Sequence, residues 1–143
     1  MHGHRPFAIE FYETPRGDKP VLRWIKEDLS VRQRRVLGYA LSRLLQQYGL
    51  DVCDTEFGRQ LGGGLFEFRL RLRAHEDGEA ALLRVFCHAR GDRVILLLGG
   101  YDKSKHPSRR RQDREIQVAR RRLTEYLRRQ RGAGRGSRGL AGL

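Results

Sequence analysis

The sequence predicts an α+β fold: a small, mainly antiparallel sheet packed on an αα-hairpin and closed by a C-terminal helix. Three observations carry this. From Leu65 the chain runs Leu-Phe-Glu-Phe-Arg-Leu-Arg-Leu-Arg, apolar and charged residues alternating with the period of two that belongs to a strand. Val36, Leu37, Ala40, Leu41, Leu44, Leu45 and Tyr48 follow the i, i+3, i+4, i+7 spacing of a helix with one buried face. Residues 94–98 are apolar throughout, as in a strand covered on both sides.

The elements follow in order. Residues 7–12 are rich in β-formers and precede Thr-Pro-Arg-Gly-Asp, a turn cluster, so a first strand ends there. Asp18 is placed to cap a helix with Pro20 in its first turn, where a missing N–H costs little. Val21, Leu22, Trp24, Ile25 and Leu29 supply its apolar stripe. Ser30-Val31-Arg32-Gln33 matches the capping box, which starts a second helix at Ser30, and Gly49 terminates it. Residues 50–64 read as irregular, with Gly62-Gly63-Gly64 as a strand-entry turn. Strands over residues 65–73 and 80–89 are joined by Glu76-Asp77-Gly78-Glu79, whose Asp-Gly is a hairpin signal. Beyond a turn at Arg90-Gly91-Asp92, the apolar run 94–98 belongs at the centre of the sheet. A basic loop containing Pro107 leads to a last helix over residues 112–129, with Ile116, Ala119, Leu123, Tyr126 and Leu127 inward. The order is β-α-α-β-β-β-α, without internal repeat.

A chain of 143 residues has room for one domain, expected over residues 1–130. Residues 131–143 form a Gly/Arg-rich tail without periodicity, expected to be disordered. The net charge of +13 fits a polyanion partner such as nucleic acid. Between Lys103 and Arg138 there are 14 Lys or Arg and 3 Asp or Glu, so most of the charge sits in the last quarter of the chain. Cys53 and Cys87 are far apart in sequence, which indicates neither a disulfide framework nor a metal site. The five His show no ligand spacing, and no metal or cofactor is expected. No apolar run has the length of a membrane span and the first residues lack a secretion signal, so the expected location is the cytoplasm.

The chemistry concentrates on the strands. Strand parity puts Phe66, Phe68, Leu70 and Leu72 on one face of the first hairpin strand and Glu67, Arg69, Arg71 and Arg73 on the other. Arg84 and His88 share a face of the next strand, and Tyr101, Lys103 and Lys105 follow the apolar strand. If these polar faces coincide, they form a basic surface with an aromatic edge. Such a surface can hold a phosphodiester and neutralise the transition state of attack by a ribose 2′-OH without a metal. The alternative is a solvated face on which each Arg serves an ion pair, for instance Glu67 with Arg84.

The blocks Leu61-Gly-Gly-Gly-Leu-Phe-Glu-Phe-Arg, Leu83-Arg-Val-Phe, Ile95-Leu-Leu-Leu-Gly-Gly-Tyr-Asp-Lys and Glu115-Ile-Gln-Val-Ala-Arg-Arg-Arg-Leu stand in an order and spacing of their own. Together they resemble the RelE/HigB-type toxins of type II toxin–antitoxin systems, in the phage-derived host-inhibition branch of the RelE/ParE superfamily. The resemblance spans residues 7–130. It implies a RelE/ParE-like fold and an mRNA interferase, a ribosome-dependent endoribonuclease that inhibits translation by cutting mRNA in the ribosomal A site. It also implies a cognate antitoxin, commonly a helix-turn-helix protein of the Xre type. By this resemblance Arg69 and Arg84 hold the scissile phosphate, and Lys103 lowers the pKa of the 2′-OH or accepts its proton. Tyr101 stacks on a base or orients it, and His88 is a further acid–base candidate. Arg71, Arg73, Lys105, Arg109, Arg110 and Arg111 are expected to contact RNA. The chain departs from the pattern with Gly99 in place of a His, Ser104 in place of the second Lys, and a longer segment from Gly100 to Glu115. Two other readings stay open: a ParE-like gyrase inhibitor on the same scaffold, and a non-catalytic nucleic-acid-binding module using the Arg-rich last helix.

Overall fold

Local signals set several element boundaries. Ser30 and Gln33 form the full reciprocal capping box: the Ser30 hydroxyl accepts from the Gln33 N–H at 3.1 Å, and the Gln33 side chain accepts from the Ser30 N–H at 2.9 Å. Gly49 ends the same helical run with φ +53°, its Cα pressed so close to the Phe7 ring that a Cβ would lie 2.6 Å from it.

The computed structural model describes residues 6–76 and 78–141, with side chains through residue 133. The elements are β1 (Ala8–Phe11), α1 (Pro20–Asp28) and α2 (Val31–Ala40). α2 continues through a π-helical turn (Leu41–Leu45) and a last α-helical turn (Gln46–Tyr48) into a 3₁₀ segment (Gly49–Asp54). β2 (Gly58–Gly62), β3 (Leu65–Leu72), β4 (Ala81–Arg90), β5 (Val94–Asp102) and α3 (Arg109–Ala141) follow. The sheet order is β1-β5-β4-β3-β2, with β1 parallel to β5 and the other three pairings antiparallel. The fold is thus α+β with a mixed five-stranded sheet. The αα-hairpin covers one face, where Leu37, Leu41 and Leu45 pack on Phe66, Phe68, Val85 and Leu97. α3 covers the other, where Ala119, Leu123 and Tyr126 pack on Leu65, Phe86, Leu96 and Leu98.

Several expectations are corrected. The stretch 50–64 holds a 3₁₀ segment and the edge strand β2, and Gly62-Gly63-Gly64, all at positive φ, turns β2 into β3. That strand has little apolar content to announce it (Gly-Arg-Gln-Leu-Gly) and is formed by pairing with β3. β5 extends to Asp102, and β4, not β5, is central. Asp18 is not the cap of α1: Lys19 holds that position. The Asp18 carbonyl accepts from Thr14 in the preceding turn, and its carboxylate faces Arg23 at 3.6 Å. Tyr48 leaves the core and is 56% exposed. The π turn inserts extra residues per turn, so positions after it no longer follow the 3.6 spacing. α3 is longer than residues 112–129 at both ends. The expected tail falls mostly on residues 134–143, whose side chains lie outside those described, as does Asp77 in the β3–β4 turn.

Candidate functional site

The charged face of β3 lies on the α3 side of the sheet. Arg69 pairs across the ladder with Arg84 of β4, and Arg84 with Tyr101 of β5, so three expected site residues form one row. A bulge puts Tyr101 there. Phe86 pairs with Gly99 but Cys87 pairs with Leu97, leaving Leu98 as the extra residue of β5. Strict alternation from Leu96 and Leu98 would send Gly100 toward α3 and Tyr101 toward the αα-hairpin. With the bulge, Tyr101 joins Leu96 and Leu98 on the α3 side, and Gly100 faces Trp24 of α1.

Glu67 is the hub of this row. Its side chain is 0% exposed; Arg69 Nε donates to its Oε2 at 2.9 Å, and Arg84 Nε lies 3.6 Å from its Oε1. Burial pulls the Arg84 guanidinium below its ordinary pKa, and the Glu67 charge opposes that shift. Tyr101 stacks on Phe86 with ring centroids 6.2 Å apart and planes at 13°. Burial, then the Glu67 charge, pushes the Tyr101 hydroxyl up to about 12, with Arg84 opposing. Tyr101 is therefore a proton-bearing group at neutral pH, able to donate a hydrogen bond. With 2% exposure and one face on Phe86, its ring offers no platform to a base, and its hydroxyl is buried as well. Glu67 Oε1, Arg84 Nε and the Tyr101 hydroxyl make no hydrogen bond with a described group.

Arg69, Arg71, Arg73 and Arg84 line one open groove of about 500 Å³, with Phe57 on its wall and Glu56 the one carboxylate among its described lining residues. Four guanidiniums around one groove suit phosphate oxygens. The other expected residues lie around this centre. Lys103 lines an adjoining groove of about 380 Å³ with Arg59 and Arg109. Lys105 and Arg111 line a third, of about 630 Å³, against Trp24 and Tyr101. Arg111 is paired with Glu115 at 2.7 Å, and Arg110 is exposed. His88 lies apart: its Nδ1 is 2.8 Å from the Gly64 carbonyl, four residues along β4 from Arg84 and so about 13 Å away.

The departures from the family pattern have local roles. Asp102 Oδ1 accepts from the Leu82 N–H, the Ser104 N–H and the Ser104 hydroxyl, which pins the turn carrying Lys103 and Lys105. Gly99 lies beneath α3, beside Phe86 and Ala119. Three of the ten described arginines of α3 hold it down. Arg120 donates to the Leu61 and Gly62 carbonyls, Arg122 to Leu98 and Arg129 to Glu13.

Sequence reasoning missed Arg59 and Phe57, which sit in the stretch read as irregular, and did not place Glu67 at the hub. Its flanking by Phe66 and Phe68 was the available signal of burial. Among the described residues no group of three or more His, Cys, Asp or Glu could hold a metal ion, and no helix is long and apolar enough to cross a membrane.

No curated protein matches the chain. Residues 23–124 match the family described as Phage derived protein Gp49-like (DUF891). The matched span runs from α1 into α3 and takes in every strand of the arginine groove. Because it covers well over half of the sequence, the chain belongs to this phage-derived Gp49-like family, a toxin-like family of the RelE/HigB type.

Proposed function

We propose that this protein is the toxin of a type II toxin–antitoxin pair and acts as a ribosome-dependent endoribonuclease on mRNA. The observation that carries the reading is the groove lined by Arg69, Arg71, Arg73 and Arg84, with Tyr101 paired to Arg84 on the next strand. In the reaction the ribose 2′-oxygen attacks phosphorus, the P–O5′ bond breaks, and a 2′,3′-cyclic phosphate and a 5′-hydroxyl form. Arg69 and Arg84 stabilise the charge that builds on the non-bridging oxygens. Tyr101, protonated at neutral pH and buried next to Arg84 in the row, steadies that guanidinium from β5. The 2′-hydroxyl proton passes to solvent, favoured by the Lys103 charge from the adjoining groove, and O5′ takes up a proton from solvent as it leaves. Arg71 and Arg73 hold the flanking backbone. The partner is an antitoxin, of helix-turn-helix Xre type in this proposal, and the substrate is presented by the ribosome.

The test is induced expression in a bacterial host, with primer extension on translated and untranslated copies of one reporter mRNA. Cuts confined to the translated message, absent in Arg69→Ala/Arg84→Ala, are the expected result. Arrested cells with intact mRNA would overturn the RNA reading and turn attention to gyrase.

A further inference from the structure

We infer that Glu67 is a positioning residue of the groove: its buried carboxylate holds the Arg69 and Arg84 guanidiniums in the pose that receives a phosphodiester. What the arginines do there rests on the RNA-cleaving reading proposed above; the geometry that fixes them does not.

Arg69 and Arg84 occupy directly opposed positions on β3 and β4, where two like charges repel. Glu67 lies on β3 two residues before Arg69, on the same face, and reaches both: one oxygen takes Arg69 and the other faces Arg84. Both approaches are to Nε. That leaves the Nη ends of the two guanidiniums for a ligand, and those ends carry the fork that matches phosphate oxygens. Neither end makes a hydrogen bond with a described group. The carboxylate itself, at 0% exposure, has no route to a substrate and is not a proton-transfer group. Stability does not account for it. Desolvating a carboxylate is expensive, and buried ion pairs are often replaceable by apolar residues without loss. What an apolar residue cannot do is fix two guanidiniums side by side. The three charges sum to +1, so the triad keeps a net attraction for phosphate while suppressing Arg–Arg repulsion.

Glu67→Gln in the full chain tests this, because it keeps the shape and removes the charge. Three readouts are taken together: nitrogen-detected NMR of the Arg Nε–H groups, single-turnover cleavage on mRNA-programmed ribosomes, and binding of a non-cleavable DNA oligonucleotide. The expected results are loss of the slow solvent exchange of the Arg69 Nε–H, the one of the two hydrogen-bonded to Glu67, and a plateau rate lowered about 10- to 100-fold. Oligonucleotide affinity should be unchanged or tighter, since the local charge rises from +1 to +2. Glu67→Asp, which keeps the charge one methylene short, should fold and fall between the two. A wild-type plateau rate in Glu67→Gln would overturn the inference. So would rate, affinity and thermal stability declining together, which assigns Glu67 a structural role alone. Should the wild type cut no mRNA, the cleavage reading fails; the exchange measurement then decides, and unchanged Nε–H protection in Glu67→Gln overturns the positioning role.

Discussion

Gly100→Ala should loosen the seat of the row by a calculable amount. A Cβ on Gly100 would lie 2.5 Å from Trp24 Cζ3, 2.7 Å from Cε3 and 3.1 Å from Cη2. Ordinary carbon–carbon contact is about 3.5 Å, so the indole, and α1 with it, must retreat by roughly 1 Å. Gly100 is not among the glycines at positive φ, so the backbone accepts alanine and the cost is steric. Overpacking of this kind costs about 1–3 kcal/mol. An unfolding entropy near 2.1 cal/mol/K per residue gives about 0.3 kcal/mol/K over 143 residues, so Tm should fall by about 3–10 °C. Trp24 is the sole tryptophan and is removed in part of the cycle below, so unfolding is followed by circular dichroism in every variant. The decisive step is a double-mutant cycle. Trp24→Ala removes the obstructing ring, and in that background Gly100→Ala should cost less than about 0.5 kcal/mol, leaving a coupling of about 1–3 kcal/mol. Equal costs in both backgrounds would refute the argument that Trp24 is what demands a glycine.

Two further outcomes separate binding arginines from structural ones and check the buried tyrosines. Arg71→Ala/Arg73→Ala should reduce the slope of log K against log salt for single-stranded RNA by about 1.4 and leave Tm unchanged. Arg122→Ala, which deprives the Leu98 carbonyl of its donor, should lower stability by about 1–3 kcal/mol with the slope intact; the reverse pattern would show the roles to be misassigned. Tyr12, whose hydroxyl donates to Glu125, and Tyr101 are each pushed up to about 12, chiefly by burial. The raised values favour the protonated forms in the folded state. Stability from them is whole below about pH 10 and lost as pH rises from 10 through 12. An absorbance titration should show two tyrosinates appearing only near pH 12, one fewer in Tyr12→Phe and in Tyr101→Phe; normal titration in either case would refute the assigned burial effect.

The features legible in the sequence are those with local causes. A capping box needs only Ser30 and Gln33 three residues apart, and strand parity alone places Glu67, Arg69, Arg71 and Arg73 on one face. The αα-hairpin, the β3–β4 pairing and the inward stripe of α3 follow from periodicity in the same way. β2 was illegible because its five residues carry no strand pattern and pair only because β3 is there. Tyr48 was misplaced because a π turn resets the helical phase without altering residue types.

At the site, the sequence determined which side of β3 bears the arginines and that Arg84 could stand near them. Only the tertiary structure decided that Tyr101 joins them and that Glu67 lies buried between two guanidiniums. The physical reason is that each depends on a long-range pairing. The extra residue at Leu98 reverses the alternation of β5, and the pairing of β3 with β4 sets Glu67 between Arg69 and Arg84, where a carboxylate that parity assigns to a polar face is fully buried.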